Sequence, residues 1–120
     1  MPARILIVED STLVTDAFVV LFQQAGYDVE IAASVAEAIE RGTAGSFDVM
    51  LLDLSLPDGS GLDVLENLRA HDNAPRTTLA MTGHDDSKTR RACLDAGCTD
   101  VLIKPTPIGE LLRKIERHLA

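Results

Sequence analysis

The chain predicts an α/β protein with five parallel strands in one open sheet and helices on both of its faces. Short apolar runs without polar alternation, the pattern of strands buried on both sides, occur five times. Each is followed by a stretch whose apolar residues recur at helical spacing, and no repeat, linker or low-complexity segment breaks the alternation. Right-handed crossovers then bring every strand's C-terminal end to one rim. A five-stranded sheet of this type commonly takes the order 2-1-3-4-5, which leaves a ligand crevice between its first and third strands.

The first strand is RILIVE (4–9), an apolar run that ends on acids. Val14, Phe18, Leu21, Phe22 and Ala25 follow at helical spacing, and Gly26 closes that helix. DVEIAA (28–33) is the second strand; Ser34 with Glu37 forms a capping-box pattern that starts a helix through Ala36 and Ile39, loosened at its end by Gly42 and Gly45. DVMLLD (48–53) is the third strand, followed by the turn formers Pro57, Asp58, Gly59, Ser60 and Gly61 and then by Leu62, Leu65 and Leu68 of a third helix. TTLAMT (77–82) is a fourth strand of weaker pattern. The helix after it, about 86–96, offers only Ala92, Cys93 and Ala96 as an apolar face, which predicts the least firmly packed helix of the five. DVLIK (100–104) is the fifth strand; Ile108, Leu111, Leu112, Ile115 and Leu119 form the last helix, with Thr106 able to cap it and Pro107 suited to its first turn.

A chain of 120 residues, 46% hydrophobic and 25% charged, is read as one globular domain over 1–120 with an ordinary core. No apolar run approaches the ~20 residues of a membrane span, and MPARILIVED lacks a signal-peptide pattern, so the expected location is the cytoplasm, with no membrane partner. The formal charge of −8 opposes direct nucleic-acid binding by this domain. Basic residues gather only at Lys88, Arg90 and Arg91 and at Arg113, Lys114 and Arg117, where solvated helix faces account for them. Cys93 and Cys98 lack metal-like partner spacing and read as small buried hydrophobes.

Polar residues end four of the apolar strands on the common rim. Glu9 and Asp10 close the first and Asp53 the third, so three carboxylates converge and raise one another's pKa unless a cation compensates. Hard oxygen ligands too few for a calcium cage suit Mg2+, with Mn2+ an alternative; Mg2+ keeps several waters and takes one or two carboxylates plus phosphate oxygens. Thr82 followed by Gly83 ends the fourth strand, and Lys104 followed by Pro105 ends the fifth. A hydroxyl, unobstructed backbone amides and an ammonium are groups that stabilise charge on phosphoryl oxygens. Each residue alone has an ordinary structural explanation; their joint placement does not.

ILIVEDS, LLDLSLPDGSGLDVL, MTGH and AGCTDVLIKP resemble, in order and spacing, the receiver domain of two-component response regulators across essentially the whole chain. The resemblance implies a flavodoxin-like (βα)5 fold and a phosphoacceptor at Asp53. It implies that Glu9 and Asp10 are the acidic Mg2+ pair, that Ser55 gives the metal its backbone carbonyl, that Thr82 is the switch hydroxyl and that Lys104 contacts the phosphate across a cis bond to Pro105. A sensor histidine kinase or histidine phosphotransfer protein is the implied phosphodonor, and a downstream protein or fused output domain the implied recipient. The domain is then a signalling phosphoacceptor with slow self-dephosphorylation and not an enzyme in its own right. His84, two places after Thr82, stands where water access to the site can be affected, although a solvated loop histidine explains it as well.

One departure concerns the switch. Many receivers carry an aromatic residue three places before the lysine; Val101 stands there, so no ring can report the state of Thr82. Two readings of other classes stay open: an aspartate-nucleophile phosphatase-like hydrolase, for which Ser55 stands where a second acid is usual, and a phosphorylation-independent interaction module. Transient phosphorylation, turnover of a small phosphate ester, or neither separates the three. The sequence leaves open whether the chain is a free-standing regulator or the receiver of a larger protein.

Overall fold

The computed structural model describes residues 2–119. In chain order the elements are β1 (Arg4–Val8), α1 (Thr12–Gln24), β2 (Asp28–Ala32), α2 (Val35–Ala44), β3 (Val49–Asp53), β4 (Ser55–Leu56), β5 (Gly59–Ser60), α3 (Gly61–Ala70), β6 (Thr77–Thr82), α4 (Ser87–Ala96), β7 (Asp100–Ile103) and α5 (Ile108–Leu119). Five of the strands make one parallel sheet in the order β2-β1-β3-β6-β7. This is the arrangement the apolar runs predict. The antiparallel hairpin β4–β5, Ser55 opposite Ser60 and Leu56 opposite Gly59, is an addition the sequence pattern did not reveal, because two-residue strands are too short to show periodicity.

Alternation along the strands divides the core into two layers. Ile5, Ile7, Val49, Leu51, Leu79, Met81 and Leu102 point to one side, where Phe22 of α1 and Leu111 and Ile115 of α5 cover them. Leu6, Val8, Met50, Leu52, Ala80 and Val101 point to the other, beneath Ala38 of α2, Val64, Leu65 and Leu68 of α3 and Cys93 of α4. The fourth main strand, β6, is buried along its whole length despite its weaker sequence pattern. At Thr78 the backbone is paired with Thr99, whose Oγ1 accepts from the Thr78 N–H (3.1 Å) and whose N–H donates to the Thr78 carbonyl (2.7 Å), while the Thr78 hydroxyl is buried without a partner among the described residues.

Several local expectations change. Gly42 does not loosen α2; the helix runs through it, and a Cβ there would stand 2.8 Å from the Leu68 methyls, so glycine lets α2 and α3 close up. Ala92 is exposed, and the buried contact of α4 is Cys93 alone, with Ala96 half-buried. Thr106 does not cap α5: its hydroxyl donates to the Ile103 carbonyl (2.9 Å), while the Pro107 carbonyl, just ahead of the helix, accepts from Glu110 and Leu111. Ser34 Oγ accepts from the Glu37 N–H (3.1 Å), one half of the capping box.

Candidate functional site

β1 and β3 are hydrogen-bonded neighbours whose following elements leave on opposite faces, and the crevice between their C-terminal ends collects the acids. Glu9, one residue past β1, is 3% exposed and Asp53, the last residue of β3, 4%. Asp10 beside them is exposed. Carboxylate oxygens of all three lie within 4.8 Å of one another. Lys104, one residue past β7, reaches across the rim and places Nζ 3.0 Å from Asp53 Oδ2 and 3.2 Å from Glu9 Oε1. Its neighbour Pro105 follows a cis peptide bond.

The remaining oxygens of Glu9 and Asp53 are held by the backbone. Glu9 Oε2 accepts from the N–H groups of Asp10 (3.0 Å) and Ser11 (3.4 Å), and Asp53 Oδ1 accepts from the Ser55 N–H (3.1 Å). Gly61 makes this approach of loop to strand feasible: a Cβ there would stand 2.2 Å from the Asp53 carbonyl oxygen, a collision no rotamer relieves. The Gly61 N–H donates to the Leu54 carbonyl (3.1 Å), tying the start of α3 to the residue after Asp53.

Burial, and then the hydrogen bond and charge of Asp53, push the Glu9 carboxyl above its ordinary value against the opposing pull of Lys104. Burial alone would lower the Lys104 ammonium, but Asp53 and Glu9 outweigh it and hold the group above its ordinary value. Three carboxylates against one ammonium leave two uncompensated negative charges, which matches one divalent cation. The donor set, all hard oxygens and partly open to solvent at Asp10, fits a cation that retains water ligands.

Thr82, the last residue of β6, is buried, and its Oγ1 accepts from the His84 N–H (3.1 Å), which leaves the hydroxyl proton free to donate elsewhere. Gly83 and the His84 side chain are exposed beside it. The Lys104 N–H donates to the Thr82 carbonyl (2.7 Å), joining the ends of β6 and β7. Val101 points away from this rim cluster into the α2–α3–α4 layer. Next to the acids a cavity of about 340 Å3 opens between α1 and the loop before α5, lined by Val14, Phe18, Met81 and Pro105 among others. The sequence singled out every member of the rim cluster. It missed the anchoring of the loop that follows Asp53, where the carboxylate of Asp58 accepts from the N–H groups of Val35 (2.7 Å) and Ala36 (3.1 Å) at the start of α2.

Fold and site together define a doubly wound, flavodoxin-like α/β protein with an acidic, lysine-bridged crevice at the topological switch point of its sheet. The family model for the response regulator receiver domain matches residues 5–116. The chain belongs to that family, the receivers of two-component systems. It is 32% identical over 116 residues to the response regulator ArlR of Staphylococcus saprophyticus, covering 97% of this chain and 52% of that one. The chain spans about half the length of the curated relatives it matches. Among solved structures, the chemotaxis protein CheY4 of Vibrio cholerae superposes with a TM-score of 0.91 at 27% identity, covering 98% of both chains. The receiver domain of the sensor histidine kinase PA1611 of Pseudomonas aeruginosa PAO1, with a magnesium ion coordinated in its active-site cleft, superposes with a TM-score of 0.86 at 30% identity, covering 98% of this chain and 97% of that one.

Proposed function

We propose that this chain is a phosphoacceptor domain that takes a phosphoryl group from the phosphohistidine of a sensor histidine kinase or phosphotransfer protein onto Asp53. The observation that carries the reading is the state of Asp53 itself. It is a buried carboxylate at a strand end, gripped on one oxygen by the Ser55 N–H and on the other by Lys104 Nζ, beside two further acids.

A carboxylate oxygen of Asp53 attacks phosphorus; the new O–P bond forms as the P–N bond to the donor imidazole breaks, and the imidazole leaves with the electron pair. Lys104 is placed to neutralise charge on the phosphoryl oxygens as it is released from Asp53, and the free Thr82 hydroxyl proton is available to donate to one of them. Glu9, Asp10 and Asp53, with the backbone carbonyl of Ser55, are the residues that would hold Mg2+, which when bound supplies positive charge against the same oxygens; Mn2+ would serve similarly. The exposure of the crevice at Asp10, Gly83 and His84 would admit the water through which the phosphoryl group is slowly lost.

The output surface is that of α4, β7 and α5, and its recipient is a downstream protein or an output domain fused to this one. Hydrogen bonds to charged groups contribute ~1.5–3 kcal/mol each. Two that differ between states approach the ~5.5 kcal/mol that turns a 1:99 equilibrium around. With valine at position 101, the shift passes through the backbone joining Thr82 to Lys104 and not through a rotating ring. Cytoplasmic location agrees with the two buried cysteines standing as free thiols.

Incubating the protein with a small phosphodonor such as acetyl phosphate and Mg2+ tests the reading by mass spectrometry. One labile phosphoryl adduct is expected, absent in Asp53→Ala and without metal. No adduct, even with candidate kinases supplied, would overturn it.

A further inference from the structure

The turn after Asp53 is held from outside by a residue that takes no part in the rim cluster. β4 and β5 form a two-rung hairpin whose tip, Pro57–Asp58, projects toward the start of α2. There the two carboxylate oxygens of Asp58 accept separately from the first two amides of the helix, Val35 N–H at 2.7 Å to Oδ1 and Ala36 N–H at 3.1 Å to Oδ2. Leu56, just before the tip, and Val35, at the start of α2, pack on the same core layer. These backbone hydrogen bonds hold the Asp58 carboxyl below its ordinary value, and the positive end of α2 favours the charge further. α2 has a cap of its own in Ser34, whose Oγ takes the Glu37 N–H, so Asp58 is not required merely to end the helix.

At its other end the hairpin controls the site. Ser55, its first residue, donates to Asp53 Oδ1, and the rung to Ser60 precedes the close approach of Gly61 to the Asp53 carbonyl. We infer that Asp58 is a positioning residue for divalent-cation binding: by latching the hairpin tip to α2 it fixes Ser55, and through Ser55 the direction of the Asp53 carboxylate and of the Ser55 carbonyl. The inference rests on the phosphoacceptor reading of the crevice and assigns it a support 5 residues from Asp53 in the chain, on a different helix's terminus.

The experiment compares Mg2+ affinity, by calorimetric titration with Mg2+ alone, and amide exchange in the intact protein and in Asp58→Ala, Asp58→Asn and Ser34→Ala. Asp58→Ala is expected to weaken Mg2+ binding roughly tenfold, the order of effect of removing a group that orients a metal ligand. It is also expected to speed exchange at Val35, Ala36 and Ser55. Asp58→Asn, which keeps one acceptor oxygen, should fall between that variant and the parent. Ser34→Ala removes a cap from the same helix without touching the hairpin, and should bind Mg2+ as the parent does. Unaltered affinity in Asp58→Ala, or an equal loss in Ser34→Ala, would overturn the latch while leaving the phosphoacceptor reading intact. Absence of Mg2+ binding by the parent protein would overturn both.

Discussion

Helices α4 and α5 lie on opposite faces of the sheet beside β7, one against Val101 and the other against Leu102, and they are held there by different means. α5 buries Leu111 and Ile115 completely and rests Leu112 and Leu119 on the same layer. α4 buries Cys93 alone and leaves Leu94 56% exposed. What secures α4 is polar and sits at its ends. Asp86 Oδ1 accepts from the Thr89 N–H (2.7 Å), and Arg69 of α3 donates to the Ala96 carbonyl (2.6 Å). Gly97, at φ 106°, then turns the chain so that the Cys98 N–H reaches the Cys93 carbonyl (2.9 Å), a Schellman closure that brings the two cysteines together. Burial pushes both thiols up, Cys98 to about 12, so the pair serves as packing and not as a nucleophile.

The difference teaches where movement is inexpensive. Displacing α5 opens a core of large side chains, whereas shifting α4 exchanges a few directional bonds at its termini for others. On the proposed phosphoacceptor reading, a helix so attached, next to a buried hydroxyl at the end of β6, is the element on which phosphorylation of Asp53 would act.

The contrast breaks most easily at the buried residues. Ile115→Ala should cost about 2–5 kcal/mol in urea unfolding, the range for emptying a fully packed aliphatic site. Cys93→Ala should cost about 1 kcal/mol, the order of one buried methylene-sized group. Equal losses would mean that α4 is as firmly packed as α5.

The C-terminal closure of α4 comes next. Gly97→Ala should cost roughly 1–2 kcal/mol, because a side chain is forced into left-handed backbone and its Cβ would stand 2.6 Å from Arg69 Nη1. Arg69 then has to leave the Ala96 carbonyl, so Arg69→Ala should cost less in the Gly97→Ala background than alone; strict additivity in the double-mutant cycle would show that Arg69 and Gly97 act independently at this end of the helix.

A smaller loss is expected for Asp86→Ala, with faster amide exchange confined to the first turn of α4 and none in α5. Acceleration spread over both helices would show them to be one cooperative unit.

Acid sharpens the same comparison. Hydrogen bonds from Thr89 to Asp86, and from Val35 and Ala36 to Asp58, lower both carboxyls relative to the unfolded chain. Their stabilisation is therefore complete above the ordinary aspartate range, about pH 4, and lost as pH falls through the lower folded values. In an acid titration followed by NMR, the N-terminal turns of α2 and α4 should loosen before the body of α5.

Much of this was legible in the chain. The apolar runs ending on Glu9, Asp53, Thr82 and Lys104 are short-range patterns, and the doubly wound topology turns them into one rim without further information. The thin face of α4 was legible as well, although it proved thinner, since helical spacing could not tell that Ala92 would face solvent. Thr106 misled because a hydroxyl near a helix start can accept from a first-turn amide, whereas here the side chain is turned back to donate to the Ile103 carbonyl.

By itself the sequence determined the order of the five helices and the five strands of the main sheet, the two-layer core and the identity of the charged groups on the rim, because period, turn chemistry and strand-end position are local properties. Only the tertiary structure decided the partners across the chain: Lys104 bridging Glu9 and Asp53, Asp58 seated on the amides of α2, Arg69 on the end of α4, and Gly42 admitting Leu68. Those contacts join residues far apart in sequence through directional bonds and close fits, and their geometry exists only after the helices have packed on the sheet.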